Sequence, residues 1–423
     1  MEELRAMIAR QSGVNLRPLL LAGFLTACGP AGPRPARLDA SKATAIEVTT
    51  VADARRFCPG GESIQLAVAV TTTDGKRLDT WNRGETRDGK LPFNIFEYTT
   101  TWGQIDGDGF VRLPDDPIAA IGRVVTVEVR VAERPDLVGT VALEPDFGCG
   151  GVLGGLGAQG QSGWTGDGGH DGRAGAAGND TSDGRDGEHG SDAGDGSDGG
   201  PGGPGPRVEA AVALVDTATG QRLAVLRTWS NGAAATTVYD PKGRPWGVVA
   251  LGGEGGRGGS GGRGGAGGAG GNGTYKSSSS SSGSGSGSGS GDGDDKPGTS
   301  GGNGGDGGRG GDGGNGGDGG DGGTIELVYD AAFPELLDTI VVDNRGGRGG
   351  EAGWAGDGGA GGTGGSGERR GYDGRPGQSG RVGARGRDGV AGPRAQIRAG
   401  DVRALFADLA ERGLTLVSPG GSP

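Results

Sequence analysis

The chain has 423 residues, and glycine supplies 105 of them, about a quarter, against an ordinary share of roughly 7%. Apolar residues make up 31% and aromatics 4%, too few for one core along the whole length, so compact modules form only where apolar residues gather. A formal charge of −12 argues against nucleic acid as a partner, because binding a phosphate backbone takes clustered basic charge.

The first element is an export signal. Arg5, Arg10 and Arg17 precede the ten-residue run "PLLLAGFLTA" at 18–27, which ends at Cys28. The run is too short to cross a bilayer as a helix but has the length of a signal h-region. Glu2 and Glu3 are unusual in such a region and point to Met7 as an alternative start. Leu25-Thr26-Ala27-Cys28 resembles the lipobox of bacterial lipoproteins. The resemblance implies removal of residues 1–27, acylation of Cys28, and a membrane partner reached through that anchor, at the outer membrane or cell surface. Residues 28–43 are a proline-rich tether, since "GPAGPRPAR" favours extended conformations.

Two cysteines remain, Cys58 and Cys149. An even remainder in an exported chain predicts a disulfide, and closing a loop of about ninety residues contributes roughly 4–5 kcal/mol in chain-entropy terms. The segment between them, 44–149, alternates apolar and polar residues, as in "SIQLAVAVTTTDGKRLDTW" around Asp74-Gly75. About seven such strand candidates in about 105 residues predict a β-sandwich resembling the immunoglobulin type, a likeness of architecture that says little about function.

Glycine then recurs every third residue. Between glycine tracts lie strand-patterned pieces at 206–251, 324–345 and 393–423, the last with a helix expected at 401–412, where Val402, Leu405, Phe406 and Leu409 recur at helical spacing before Gly413. Each piece is too small to fold alone, so together they predict one discontinuous β-domain. The rod pairs fall in 150–205, 252–323 (with a Ser/Gly loop at 274–300) and 346–392.

Divided at their interruptions, the tracts are one (157–178), two (184–205), three (252–273), four (301–323), five (346–367) and six (371–392). All have 22 residues except the fourth, with 23, whereas the turns between partners have five, 27 and three. Matched lengths joined as out-and-back pairs predict six antiparallel rods side by side. A period of three fits a left-handed helix with about 3.1 Å rise and no internal hydrogen bonds, so buried amides must pair with neighbouring rods. Gly-Gly-X leaves two faces bare for close approach and Gly-X-Y leaves one. Tracts three, four and most of five are therefore expected inside, and one, two and six at the periphery, with the X side chains facing solvent. The arrangement resembles the polyglycine-II bundles of glycine-rich antifreeze proteins and some phage adhesins. The fold class that follows is all-β, with an immunoglobulin-like sandwich, a discontinuous β-domain carrying one helix, and an inserted six-rod bundle.

A solvated glycine-rich brush is a second reading of the tracts. A collagen triple helix is a third, since three tracts are collagen-like in their Gly-X-Y repeat; it calls for about 15–20% proline, and only Pro201, Pro204 and Pro376 lie in the tracts. Asp186, Glu188, Asp192, Asp195 and Asp198 on tract two suggest pairing with Arg375, Arg381, Arg385 and Arg387 on tract six.

Catalytic chemistry is hard to place. His170 and His189, the two histidines, lie inside tracts, away from the rigid packed surround that a triad base needs, and too few His and Cys remain for a zinc site. Asp106-Gly107-Asp108-Gly109 lacks the other ligands of a calcium loop and reads as a turn. No enzyme activity and no cofactor are expected. Trp164, Trp354 and Tyr372 cannot enter a glycine interface; they either pack against an adjacent rod or domain or are candidates for contact with a glycan or surface-protein partner. The expected function is structural or adhesive. An ice-binding face is disfavoured because Asp, Arg and Asn dominate the X positions.

Overall fold

The computed structural model describes residues 35–51, 55–276 and 297–418. Cys28 and its expected lipidation lie outside them. The fold is all-β. The first domain comprises β1 (Ala43–Thr50), β2 (Arg56–Phe57), β3 (Ser63–Thr72), β4 (Arg77–Asp79), β5 (Phe96–Thr100), β6 (Gln104–Ile105), β7 (Phe110–Arg112), β8 (Val125–Val131) and β9 (Arg134–Pro145). They form a sheet β1-β3-β7-β6, with β4 on β3, and a sheet β2-β9-β8-β5. Alternation decides the faces: Val125, Val127, Val129 and Val131 are buried while Thr126 and Arg130 are exposed. The valines share one core with Leu66, Val68 and Val70 of the other sheet, an arrangement set by the two-residue period of a strand. Cys58 and Cys149 form the expected disulfide, with Cα atoms 5.8 Å apart.

The second assembly holds β10 (Val152–Leu156), β11 (Arg207–Thr217), β12 (Arg222–Ser230), β13 (Ala233–Tyr239), β14 (Trp246–Leu251), β15 (Thr324–Asp330), β16 (Ile340–Asp343), β17 (Gln396–Gly400) and β18 (Leu414–Leu416). One sheet is β10-β14-β16, all parallel; the other is β13-β12-β11-β15-β17, with β18 on β11. Val208, Ala210, Val212 and Leu214 of β11 face the first sheet's Val248 and Ala250. Ala211, Ala213 and Val215 face the opposite way, into the core of the first domain. Arg412 pairs with Asp116 across the two domains, and the Asp240 amide donates to the Phe147 carbonyl at 2.7 Å.

Two expectations are corrected here. The helix at 401–412 is a pair of 3₁₀ turns at Arg403–Arg412, broken at Phe406 (φ −124°, ψ 19°). Arg227 takes the Leu405 carbonyl at 2.8 Å, an acceptor that an α-helix would offer to Leu409. The glycine period at 151–156 is also not rod: Val152–Leu156 is the edge strand β10.

Each strand of the parallel sheet runs out into a tract, and each returning tract becomes a strand of the other sheet. Thus β10, β14 and β16 continue as tracts one, three and five, and β11, β15 and β17 follow tracts two, four and six. Outgoing strands are therefore parallel to one another, as are incoming ones. The tracts lie in two antiparallel rows. In tract four, the Gly302 amide donates to Gly271 of tract three and the Gly301 amide to Arg369, which precedes tract six, both at 2.8 Å. Gly365 of tract five and Gly187 of tract two donate into tract four at Gly302 and Asn303, both also at 2.8 Å. Tracts three and four each bond four neighbours, tracts two and five three, and tracts one and six two. Glycine content follows this order except in tract two, a Gly-X-Y tract that ends the even row, as expected, yet bonds three neighbours.

The closeness of the backbones is visible where glycine is replaced. Ala352 and Ala355 occupy positions of tract five otherwise held by glycines that face tract six. Beside them the Gly383–Gly353 and Gly386–Gly350 bonds lengthen to 3.2 and 3.0 Å, against 2.8 Å for Gly389–Gly347. A Cβ on Gly259 would overlap the Trp164 carbonyl, whereas one on Gly194 would lie 3.2 Å from the Asp167 nitrogen. Gly259→Ala is therefore expected to destabilise the protein by about 1–3 kcal/mol or more, as overpacking does. Gly194→Ala should stay within about 1 kcal/mol of the parent, since it also reduces the freedom of the unfolded chain. Thermal unfolding of both variants checks the contrast; equal melting points would remove it.

Candidate interaction surface

The even row, tracts two, four and six, exposes three parallel columns of side chains. Every triplet of tract four has three amides. Two reach neighbouring backbones, while the third points out of the row at the X position, where no backbone can meet it. Side chains of tract two take it at Asn303, Asp306, Arg309, Asp312 and Asn315, whereas Asp318 and Asp321 lie opposite Pro201 and Pro204. Asp186 Oδ1 accepts from the Asn303 amide at 2.6 Å, Asp192 from Arg309 at 2.6 Å, Asp195 from Asp312 at 2.7 Å and Asp198 from Asn315 at 2.6 Å. His189 Nδ1 fills the same role for Asp306 at 2.8 Å.

Tract four repeats the device toward tract six. Asn303, Asp306, Asp312, Asn315, Asp318 and Asp321 accept from the amides of Tyr372, Arg375, Arg381, Ala384, Arg387 and Val390 at 2.7–2.9 Å. Arg309 has no acceptor to offer, and the ladder skips Gln378. The odd row is stitched more sparsely, through Asp171 to Ala266 and Asn272 to Ser366. The X side chains were expected simply to face solvent; on the even face the carboxylates also hold the row together.

The proposed pairing of tract two with tract six does not occur, because the two flank tract four on opposite sides. Tract six instead sets Arg375, Arg381 and Arg387 on the same rungs as Asp306, Asp312 and Asp318. The face is thus acidic along two columns and basic along the third, with a rung about every 9 Å for three residues at 3.1 Å.

Trp164 and Tyr372 are each 83% exposed and Trp354 64%. They are not brought together: Trp354 lies in the outward column of tract five, Tyr372 on the even face, and Trp164 at the edge shared by tracts one and two, where the Ser197 hydroxyl takes its amide at 2.7 Å. His170 is placed likewise against Ser191. Asp106 accepts from the amides of Asp108 and Phe110, both at 3.0 Å, which makes Asp106–Gly109 a turn. Among the described residues no group of three or more His, Cys, Asp or Glu is placed to hold a metal ion. The chain matches no protein-family model, no curated protein and no solved structure, so its function rests on its own geometry.

The ladder had one legible signal in the sequence. Acceptors recur every third residue on tracts two and four, 117 residues from the amides of tract four and 69 from those of tract six.

Asp312 of the ladder and Asp373, which accepts the Gly364 amide of tract five at 2.7 Å, carry a local pH dependence. The Arg381 amide, followed by the charge and hydrogen bond of Arg309, holds the Asp312 carboxyl below its ordinary 3.8, and the Gly364 amide with Arg370 does the same for Asp373. A depressed folded value contributes stability that is present above the unfolded value and lost as pH falls through the folded one. Hydrogen exchange at Arg381 and Gly364 should therefore stay protected above pH 3.8 and lose protection progressively below it. Protection unchanged until the whole chain unfolds would contradict the linkage.

Proposed function

We propose that the chain is a non-enzymatic, lipid-anchored surface protein, whose six tracts form a polyglycine-II bundle that holds a side-chain surface away from the membrane. The observation that carries this reading is the continuity of tract and strand. Arg207 pairs with Thr324 in the sheet, 117 residues apart, and the same 117 separates Asp186 from Asn303 in the tracts. Trp246 and Ile340 are 94 apart, as are Asn272 and Ser366. A brush of solvated glycines has no reason to keep the register of the sheets beneath it. Rods of 22 residues would reach about 65–70 Å at 3.1 Å per residue, a length suited to projection. The first domain, with two sheets over one core, fits an immunoglobulin-like sandwich serving as the base.

Cys28 supplies the anchor in this reading, and the proline-rich tether spaces the base from the lipid. The exposure of Trp164 and Tyr372 supports an adhesive extension, in which X-position side chains meet a glycan or a surface protein. Tyr and Trp are enriched where proteins meet partners, because one end of the ring is apolar and the other can hydrogen-bond.

Two measurements test the proposal. Small-angle scattering of residues 29–423 should give an elongated rigid particle with a cooperative melt by circular dichroism; a coil-like profile would sink the bundle. Labelling the exported full-length protein with a radioactive fatty acid should mark the parent and leave Cys28→Ser unmarked, and equal labelling would remove the anchor.

A further inference from the structure

A cleft of about 790 Å³ opens at the base, beside the disulfide. Its volume falls in the range of built ligand sites. One wall is the edge of strand β13. Asn231 and Gly232, with φ of 51° and 79°, make a two-residue turn between β12 and β13, which sets Ser230 and Ala233 as a hydrogen-bonded pair. Counting along the strand, Ala235 and Thr237 bond β12, whereas the amides and carbonyls of Ala234, Thr236 and Val238 point outward. Among the described residues no backbone hydrogen bond uses these outward groups.

The same edge is already paired one rung further on. The Asp240 amide donates to the Phe147 carbonyl at 2.7 Å, and Arg244 to Gly148 at 3.0 Å. The chain at Phe147–Gly148 thus begins a line of pairing that stops where the cleft begins. Glu62, Asp115 and Asp146 also line the cleft, with Trp246 and Phe147, and among the described residues no Lys or Arg does. The Glu62 and Asp146 carboxylates each accept one backbone amide, from Cys58 at 2.5 Å and Gly148 at 2.9 Å.

We infer that this cleft is a docking slot for an extended, basic peptide segment of a partner protein, which adds a strand to the free edge of β13 and places Lys or Arg against the acidic lining. Added strands take affinity from main-chain bonds and specificity from alternate side chains. Three free outward positions span five residues of strand, about 17 Å at 3.3 Å per residue. The slot is independent of the tracts and of the proposed projection role.

An acetylated, amidated hexapeptide of alternating lysine and valine is the probe, titrated against the full chain at low salt. Binding should slow hydrogen exchange at 233–239. Ala234→Pro removes an outward amide without touching a bond to β12, a substitution that edge strands accept. It should weaken binding at least tenfold while the melting temperature stays put. A peptide with glutamate in place of lysine should not bind, and Asp115→Asn should lower affinity and its salt dependence together. Failure of the lysine peptide to bind would overturn the slot, as would equal binding by Ala234→Pro or by the glutamate peptide. Self-association of the chain through 233–239, seen by sedimentation without peptide, would overturn the partner and make the occupant a second copy.

Discussion

The bundle depends on one condition: two backbones must come close enough for amide and carbonyl to meet at about 2.8 Å with nothing between them. A helix with three residues per turn makes no hydrogen bond to itself, so every inward amide must find a neighbour or remain unsatisfied at a cost of about 1–3 kcal/mol. Only glycine leaves the face bare. Tracts three and four, each bonded to four others, accordingly keep glycine at two of every three positions, and the lengthened bonds beside Ala352 and Ala355 show what one methyl group does at such a face. The third amide of each triplet cannot be served in this way. Along most of the even face it is met by an Asp, Asn or His from the next tract, a charge-assisted bond where the acceptor is ionised.

The condition on approach does not by itself fix register, since a glycine face is the same at every turn. The sheets fix it. Parallel strands at the ordinary spacing of about 4.8 Å deliver the tracts side by side, offset as the strands are for β11–β15 and β14–β16 and to within one residue for β15–β17. Between the two sheets lie side chains such as Val212, Val248 and Ile325, and sheets packed on side chains stand about 10 Å apart. Beyond the strands those side chains vanish and the rows close into direct contact. Glycine loses more conformational freedom on ordering than any other residue, so anchoring both ends of each pair in a folded base is what allows the ordering to proceed.

Much of this was legible in the residues. Equal tract lengths against unequal turns revealed the out-and-back pairs, alternation revealed the strands, and an even cysteine count revealed the Cys58–Cys149 bridge. What was not legible depended on contacts far apart in the chain. Strand order decides that tracts two and six are separated by tract four, and no local pattern carries strand order. The 3₁₀ turns at Arg403–Arg412 follow from Arg227 claiming a carbonyl 178 residues away. The acids of tract two read as partners for the arginines of tract six because their backbone partners sit 117 residues on, in a tract whose placement was unknown.

The same physics explains why the bundle stops at six tracts. A bare glycine face at either side would invite a seventh tract from another chain, much as an open sheet edge invites another strand. Tracts one and six carry side chains at two of every three positions, such as Gln161 and Ser162 or Arg381 and Val382, and these hold a further backbone too far off to bond. Blocking both sides also fixes what the bundle can offer to a partner. The inward peptide groups of the tracts are paired with one another, so recognition along the tracts falls mainly to their side chains. Recognition through the backbone passes instead to the base, where strand edges persist because sheets, unlike the rows above them, end without side chains in the plane of pairing.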